Sequence, residues 1–186
     1  MNFSIAIEPP RAPGVDDLLR QGDEYAFSLY PPESCYLLDV ATLERPEVTV
    51  FVGRDAAGFA LGMAAIVDRG DGTAELKRLF VNDRARGLGL AVAILDSLES
   101  DAARRGIHRL ELETGPLQHA AIALYGKLGY ERIPNFGQYV GDQYSVCFAK
   151  ELSSERSQAL TPGSLAGSRK LRALSACADR VASLRR

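Results

Sequence analysis

Histidine and cysteine are scarce in this chain, and neither is placed for chemistry. His108 and His119 are the only histidines, and Cys35, Cys147 and Cys177 the only cysteines, among 186 residues. The histidines have no metal partner at ligand spacing and no serine or cysteine constellation to join. The cysteines are odd in number, far apart and in no metal-binding pattern, which reads as reduced thiols in a cytoplasmic protein without a metal. No run approaches the roughly 18 apolar residues of a membrane helix. The start, Met1 to Ile5, has no basic region before a long apolar stretch, so a secretory leader is not expected. Two nucleotide motifs are also missing. No Gly-Lys-Ser/Thr tripeptide exists, which removes a Walker loop, and the sixth position counted from Gly87 is Val92, where a dinucleotide fingerprint needs Gly or Ala.

What is present suits one globular domain with a tail. The composition, 46% hydrophobic and 25% charged, supports a single core. Net charge is -2, unevenly spread: residues 153–186 hold seven basic and two acidic side chains, leaving an acidic remainder. An acidic body with a basic tail is not the basic folded face of a nucleic-acid-binding domain. The domain is therefore assigned to 1–152, and 153–186 reads as a Ser/Ala/Arg-rich surface tail. Leu171, Leu174, Ala178, Val181 and Leu184 would give that tail a basic amphipathic helix.

The body alternates between strand and helix periodicities. Phe3, Ile5 and Ile7 mark a half-buried strand, and Val15 to Tyr30 a helix stopped by Pro31 and Pro32. Residues 47–52, 59–68 and 73–81 read as three strands joined by the short turns 53–58 and 69–72, hence antiparallel. A helical stripe follows over 88–105, with Leu88, Val92, Leu95, Leu98 and Ala102 as its apolar face and Gly106 as its cap. A strand over 107–113, a helix over 118–128 and a last strand over 145–150 complete the pattern. The strand–helix–strand passage is long enough for a parallel crossover. The expected fold class is α/β (α+β): a mixed sheet, antiparallel at first and parallel in the middle.

The most informative stretch runs from Arg86 through Gly87, Leu88, Gly89 and Leu90 to Ala91. It follows a strand and opens a helix. Small residues at 87, 89 and 91 let a ligand approach the backbone, and the N–H groups of a helix start carry the positive end of its dipole. That is a site for a phosphate or pyrophosphate. A loop whose glycines serve only its own turn is the plain alternative.

Arg86-x-x-Gly89-x-Ala91 resembles the Gln/Arg-x-x-Gly-x-Gly/Ala pyrophosphate loop of the GNAT acyltransferases. The helix ending Leu124-Tyr125 and continuing to Gly129-Tyr130 resembles the family's second signature, in the right order downstream. The resemblance covers residues 1 to 152 and is narrower still toward a bacterial branch without a firm substrate. It implies a centrally splayed sheet, acetyl-CoA as co-substrate, transfer of its acetyl group to an amine and often a homodimer. A small-molecule amine is the expected acceptor; a protein terminus or lysine, or a module that binds acyl-CoA without turnover, are the alternatives.

The same resemblance assigns residues. Backbone groups of Leu79, Phe80 and Val81 would pair with the pantetheine arm, and the amides of Arg86, Gly87, Leu88, Gly89, Leu90 and Ala91 would hold the pyrophosphate. Gln118 stands where many members have an asparagine that bonds the cofactor. Tyr125 matches the tyrosine that protonates the departing sulfur, against the plain reading of an aromatic packed on the sheet. Glu75 is the candidate base, with Glu113 as its rival and an ion-paired or solvated role open to both. Strict alternation would put Glu75, Lys77, Leu79 and Val81 on one face of their strand. The acceptor pocket is expected from Tyr30 to Tyr36, from Glu111 to Thr114, and from Phe136 to Tyr139.

Overall fold

The computed structural model describes residues 2–152; the tail read at 153–186 lies outside them. Seven strands form one sheet in the order β1-β2-β3-β4-β5-β7-β6. β1 (Ser4–Ile7), β2 (Val48–Arg54), β3 (Ala60–Asp68) and β4 (Thr73–Val81) run as an antiparallel meander. Helix α3 (Leu90–Arg104) then carries the chain over to β5 (Arg109–Thr114), which lies parallel to β4. After α4 (His119–Lys127), the short β6 (Glu131–Ile133) takes the far edge and β7 (Val146–Glu151) returns between it and β5. The mixed sheet and its parallel central pair are as expected. β6 and the four-residue α2 (Val40–Leu43) are too short to give a periodic signal.

Each face of the sheet buries its own core. One is closed by α3 and α4, with Ile66, Leu76, Ile94, Leu98, Leu112 and Tyr125 among its members. The other is closed by α1 (Val15–Leu29) and α2, through Val15, Leu18 and Leu43 against Val50, Val52, Met63 and Ala65. The apolar stripe of α3 differs from the expected one. The helix begins at Leu90, so Leu90, Ile94, Leu95, Leu98 and Ala102 face inward, while Leu88 and Val92 are exposed.

α3 comes close to the sheet because β2 and β3 offer glycines beneath it. A Cβ on Gly53 would stand 2.6 Å from Leu90 Cδ1 and 3.3 Å from Ile94 Cδ1. Gly53→Val is expected to cost about 1–3 kcal/mol by overpacking. Chemical denaturation would read this as a lowered midpoint; an unchanged midpoint would mean that α3 is seated some other way.

Candidate active site

The site begins where β4 and β5 part. Their parallel register runs Thr73 to Leu76 against Arg109 to Leu112 and goes no further. Beyond it β4 stays with β3, Phe80 opposite Met63 and Val81 opposite Gly62. β5 stays with β7, Glu113 opposite Cys147 and Thr114 opposite Val146. The sheet therefore forks, and among the described residues the β5-facing backbone edge of Leu79, Phe80 and Val81 is left without a partner strand.

An irregularity in β4 accompanies the fork. Arg78 adopts φ 60°, a left-handed conformation costing about 1–2 kcal/mol in a residue with a side chain. The register slips there, between the pairs Ala65–Lys77 and Met63–Phe80. The Arg78 guanidinium is held by the Asp23 carboxylate and donates to the Leu19 carbonyl at 3.3 Å, tying the bulge to α1. The bulge reverses the alternation. Glu75 and Lys77 lie on the α1 face, whereas Leu79 and Val81 pack with the α3–α4 core and Phe80 with the α1 core. The four residues expected on one face are thus divided between two.

The glycine loop follows β4 and leads into α3. Gly87 (φ 72°) and Gly89 (φ 85°) are both left-handed, and a Cβ on either would point into open space. Gly89 precedes the first residue of α3. Among the described residues the amides of Gly89, Leu90 and Ala91 have no backbone acceptor, as expected at a helix start without a side-chain cap. Arg86 fastens the loop: its Nε donates to the Val81 carbonyl at 3.2 Å, its NH1 pairs with Asp83 at 2.8 Å, and its guanidinium lies 5.6 Å from the Tyr25 ring centre. The Leu90 side chain is in the core, so only its amide faces the loop. Gly89→Val forces a β-branched residue into the left-handed region, where only glycine is comfortable. It is expected to raise the KM for acetyl-CoA about tenfold with little change in the acceptor KM; equal shifts in both would detach the loop from the cofactor.

A cleft of about 320 Å³ runs from this loop through the fork. Arg86, Ala91, Leu79, Phe80, Val81, Gln118 and Tyr125 line it, as do Lys77, Glu113, Thr114, Tyr30 and Tyr36. Gln118 occupies the cap position of α4 without making a side-chain cap bond. Tyr125 is buried, its ring 5.6 Å from that of Tyr130 and 6.2 Å from that of Phe148. Burial, and then the nearby Glu113 charge, push its hydroxyl well above the usual phenol range. It stays protonated.

The two carboxylates are placed differently. Glu113 lines the cleft, accepts a hydrogen bond from Ser145 Oγ at 2.9 Å, and is raised above the ordinary carboxylate range chiefly by burial. Glu75 does not line it. Its Oε1 accepts the Tyr139 hydroxyl at 2.5 Å and its Oε2 lies 3.2 Å from Arg69, which also pairs with Glu111. Tyr139 in turn accepts a 2.7 Å hydrogen bond from Lys77. The segment Phe136 to Tyr139 thus stands behind the wall, where Phe136 lies under Arg69. Tyr144 and the α1 residues Leu18, Leu19 and Tyr25 line the cleft without having been expected there. Tyr30 is where it was sought, and its hydroxyl accepts the Leu117 N–H at 2.8 Å. Among the described residues no group of three His, Cys, Asp or Glu side chains is arranged to hold a metal, and no helix is long and apolar enough to cross a membrane.

Comparison with known proteins bears on this geometry. The model of a family described as Acetyltransferase (GNAT) matches residues 14–130. An Azospirillum brasilense protein named IAA acetyltransferase is 39% identical over 152 residues, 81% of this chain and 99% of that protein. Among solved structures, a Klebsiella pneumoniae protein classed as an acyl-CoA N-acyltransferase is 32% identical with a TM-score of 0.69, covering 81% of this chain and 98% of its own. The PaiA N-acetyltransferase of Thermoplasma acidophilum, solved with coenzyme A, is 13% identical with a TM-score of 0.63, over 81% and 99% of the two chains, a likeness of fold alone.

Proposed function

Because the chain belongs to the GNAT acetyltransferase family, we propose that it transfers the acetyl group of acetyl-CoA to the amine of a small molecule, by direct attack while both are bound. The observation that carries this reading is the run of amides at 89–91 without an acceptor among the described residues, beside a cleft lined by both Tyr125 and the half-buried Glu113 carboxylate. Acetyl-CoA supplies the activated acyl group. The residues fit it: a Cβ on Gly87 or Gly89 would meet nothing within 4 Å, so a ligand can come close to the loop backbone, and the open edge of β4 suits an amide-bearing arm.

Within this frame the side chains divide the work. The Leu79 to Val81 backbone positions the acyl carbonyl and polarises it. Glu113 removes the proton of the attacking nitrogen, being the carboxylate on the cleft wall. Tyr125 gives its proton to the departing sulfur. Glu75, placed by resemblance as the base, acts instead as the anchor of Tyr139 and Lys77. No metal enters the scheme, and the protein is taken to work in the cytoplasm.

The test is a screen of amines with acetyl-CoA, reading release of free thiol. Amine-dependent release is expected. Binding of acetyl-CoA without release by any amine would favour the non-catalytic binding module; release only with peptides would move the acceptor to a protein terminus or lysine.

A further inference from the structure

Lys77 and Glu113 are the first residues past the last pair of the fork, Leu76 opposite Leu112. Since Leu76 and Leu112 point into the α3–α4 core, their successors project from the opposite face, and both line the cleft. A cation and an anion therefore stand side by side on its floor. Among the described residues they do not form an ion pair within 4.0 Å; Lys77 pairs with Glu75 and Glu113 with none. Each is held instead by a neutral hydroxyl, Lys77 by Tyr139 at 2.7 Å and Glu113 by Ser145 at 2.9 Å.

Neither charge is saturated. The Glu75 oxygen nearest Lys77 is 3.6 Å away, beyond hydrogen-bond length, and already accepts the Tyr139 proton. One ammonium proton is thus spent on Tyr139; among the described residues the others have no hydrogen-bond acceptor, and Lys77 lines the cleft. Burial depresses the Lys77 pKa and raises that of Glu113, each disfavouring its charged form. A ligand that brings an anion to Lys77 and a cation to Glu113 relieves both at once.

On this basis, and resting on the acetyl-transfer reading, we propose that the acceptor is an amino acid, its carboxylate held by Lys77 and its amino group presented to Glu113. Paired strands lie roughly 4.8 Å apart, and Lys77 and Glu113 stand one residue past the last pair, so an ammonium and a carboxylate on one or two carbons can reach both flexible side chains. Leu18, Leu19, Leu37, Met63, Tyr30 and Tyr144 line the cleft, so a medium-sized apolar side chain suits the remaining space. A simple amine satisfies Glu113 alone and leaves buried Lys77 with only its 3.6 Å pairing to Glu75.

The experiment uses the full chain, acetyl-CoA and matched acceptors: L-methionine against 3-(methylthio)propylamine, L-leucine against 3-methylbutylamine, and L-phenylalanine against 2-phenylethylamine. The expected result is a kcat/KM for the amino acid about 10- to 100-fold above that of its decarboxylated partner, the worth of one charge-assisted hydrogen bond. Lys77→Met should raise the amino-acid KM by that factor, leave the acetyl-CoA KM in place and erase the preference; Lys77→Arg should keep part of it. Where Lys77→Met does not fold, the wild-type comparison decides. Equal turnover of both partners, or a preference that survives in a folded Lys77→Met protein, overturns the proposal. So does inertness of every amino acid while another amine releases thiol, an outcome that leaves the acetyl-transfer reading intact. Failure to bind acetyl-CoA at all removes both.

Discussion

Tyr125→Phe is expected to lower kcat by about 10²-fold and to leave the acetyl-CoA KM and the unfolding midpoint close to wild type. The size follows from the usual worth of one positioned proton donor. The separation follows from the packing: the ring is buried against Tyr130 and Phe148, contacts that phenylalanine reproduces, while the hydroxyl is the only part removed. Among the described residues that hydroxyl makes no hydrogen bond that would have to be replaced, and burial holds it in the protonated form that can donate. Steady-state kinetics with saturating acceptor, read beside thermal unfolding, check the prediction. Turnover equal to wild type assigns Tyr125 to packing alone; a fall in both turnover and stability makes the hydroxyl a structural group.

Glu113→Gln is expected to have the second large effect, a loss of about 10²- to 10³-fold in kcat/KM. The pH dependence gives it direction. A carboxylate raised by burial is protonated, and so useless as a base, up to a higher pH than an exposed one. The wild-type rate should therefore rise with pH through a limb displaced above the usual carboxylate range near 4, and Glu113→Gln should lose that limb. Glu75→Gln should keep it. In that variant the Tyr139 hydrogen bond and the Arg69 pair are weakened, so the change falls on acceptor KM through Lys77 rather than on the profile. A profile in which the Glu75 variant loses the limb and the Glu113 variant retains it reverses the assignment.

The contrast between these two glutamates shows what the residues reveal unaided. Length, periodicity and turn residues placed six of the seven strands and the three long helices, because each spans enough residues for its apolar pattern to repeat. The strand read over 73–81 is β4, Thr73–Val81. The bulge inside it left no trace, since Arg78 is not a residue type that signals a left-handed backbone. Without the bulge, alternation carries Glu75 and Lys77 onto the same face as Leu79 and Val81; with it, those pairs part. The glycine loop was legible because its glycines are needed for conformation as well as for access. Tyr139 was sought at the acceptor pocket and stands instead behind it, between Lys77 and Glu75, a placement set by contacts more than sixty residues apart in sequence. Local pattern holds no record of such contacts. The opposed charges of Lys77 and Glu113 belong to the same class: they become neighbours only when β4 and β5 are known to be parallel and to separate after Leu76 and Leu112.

Every role assigned above depends on the loop between Arg86 and Ala91 holding the diphosphate of coenzyme A. Isothermal titration of the full chain with acetyl-CoA measures that directly. One saturable site is expected, with competition by free CoA and with weaker binding in Gly89→Val. No detectable association with either thioester or thiol, from a folded protein, contradicts the account at its base.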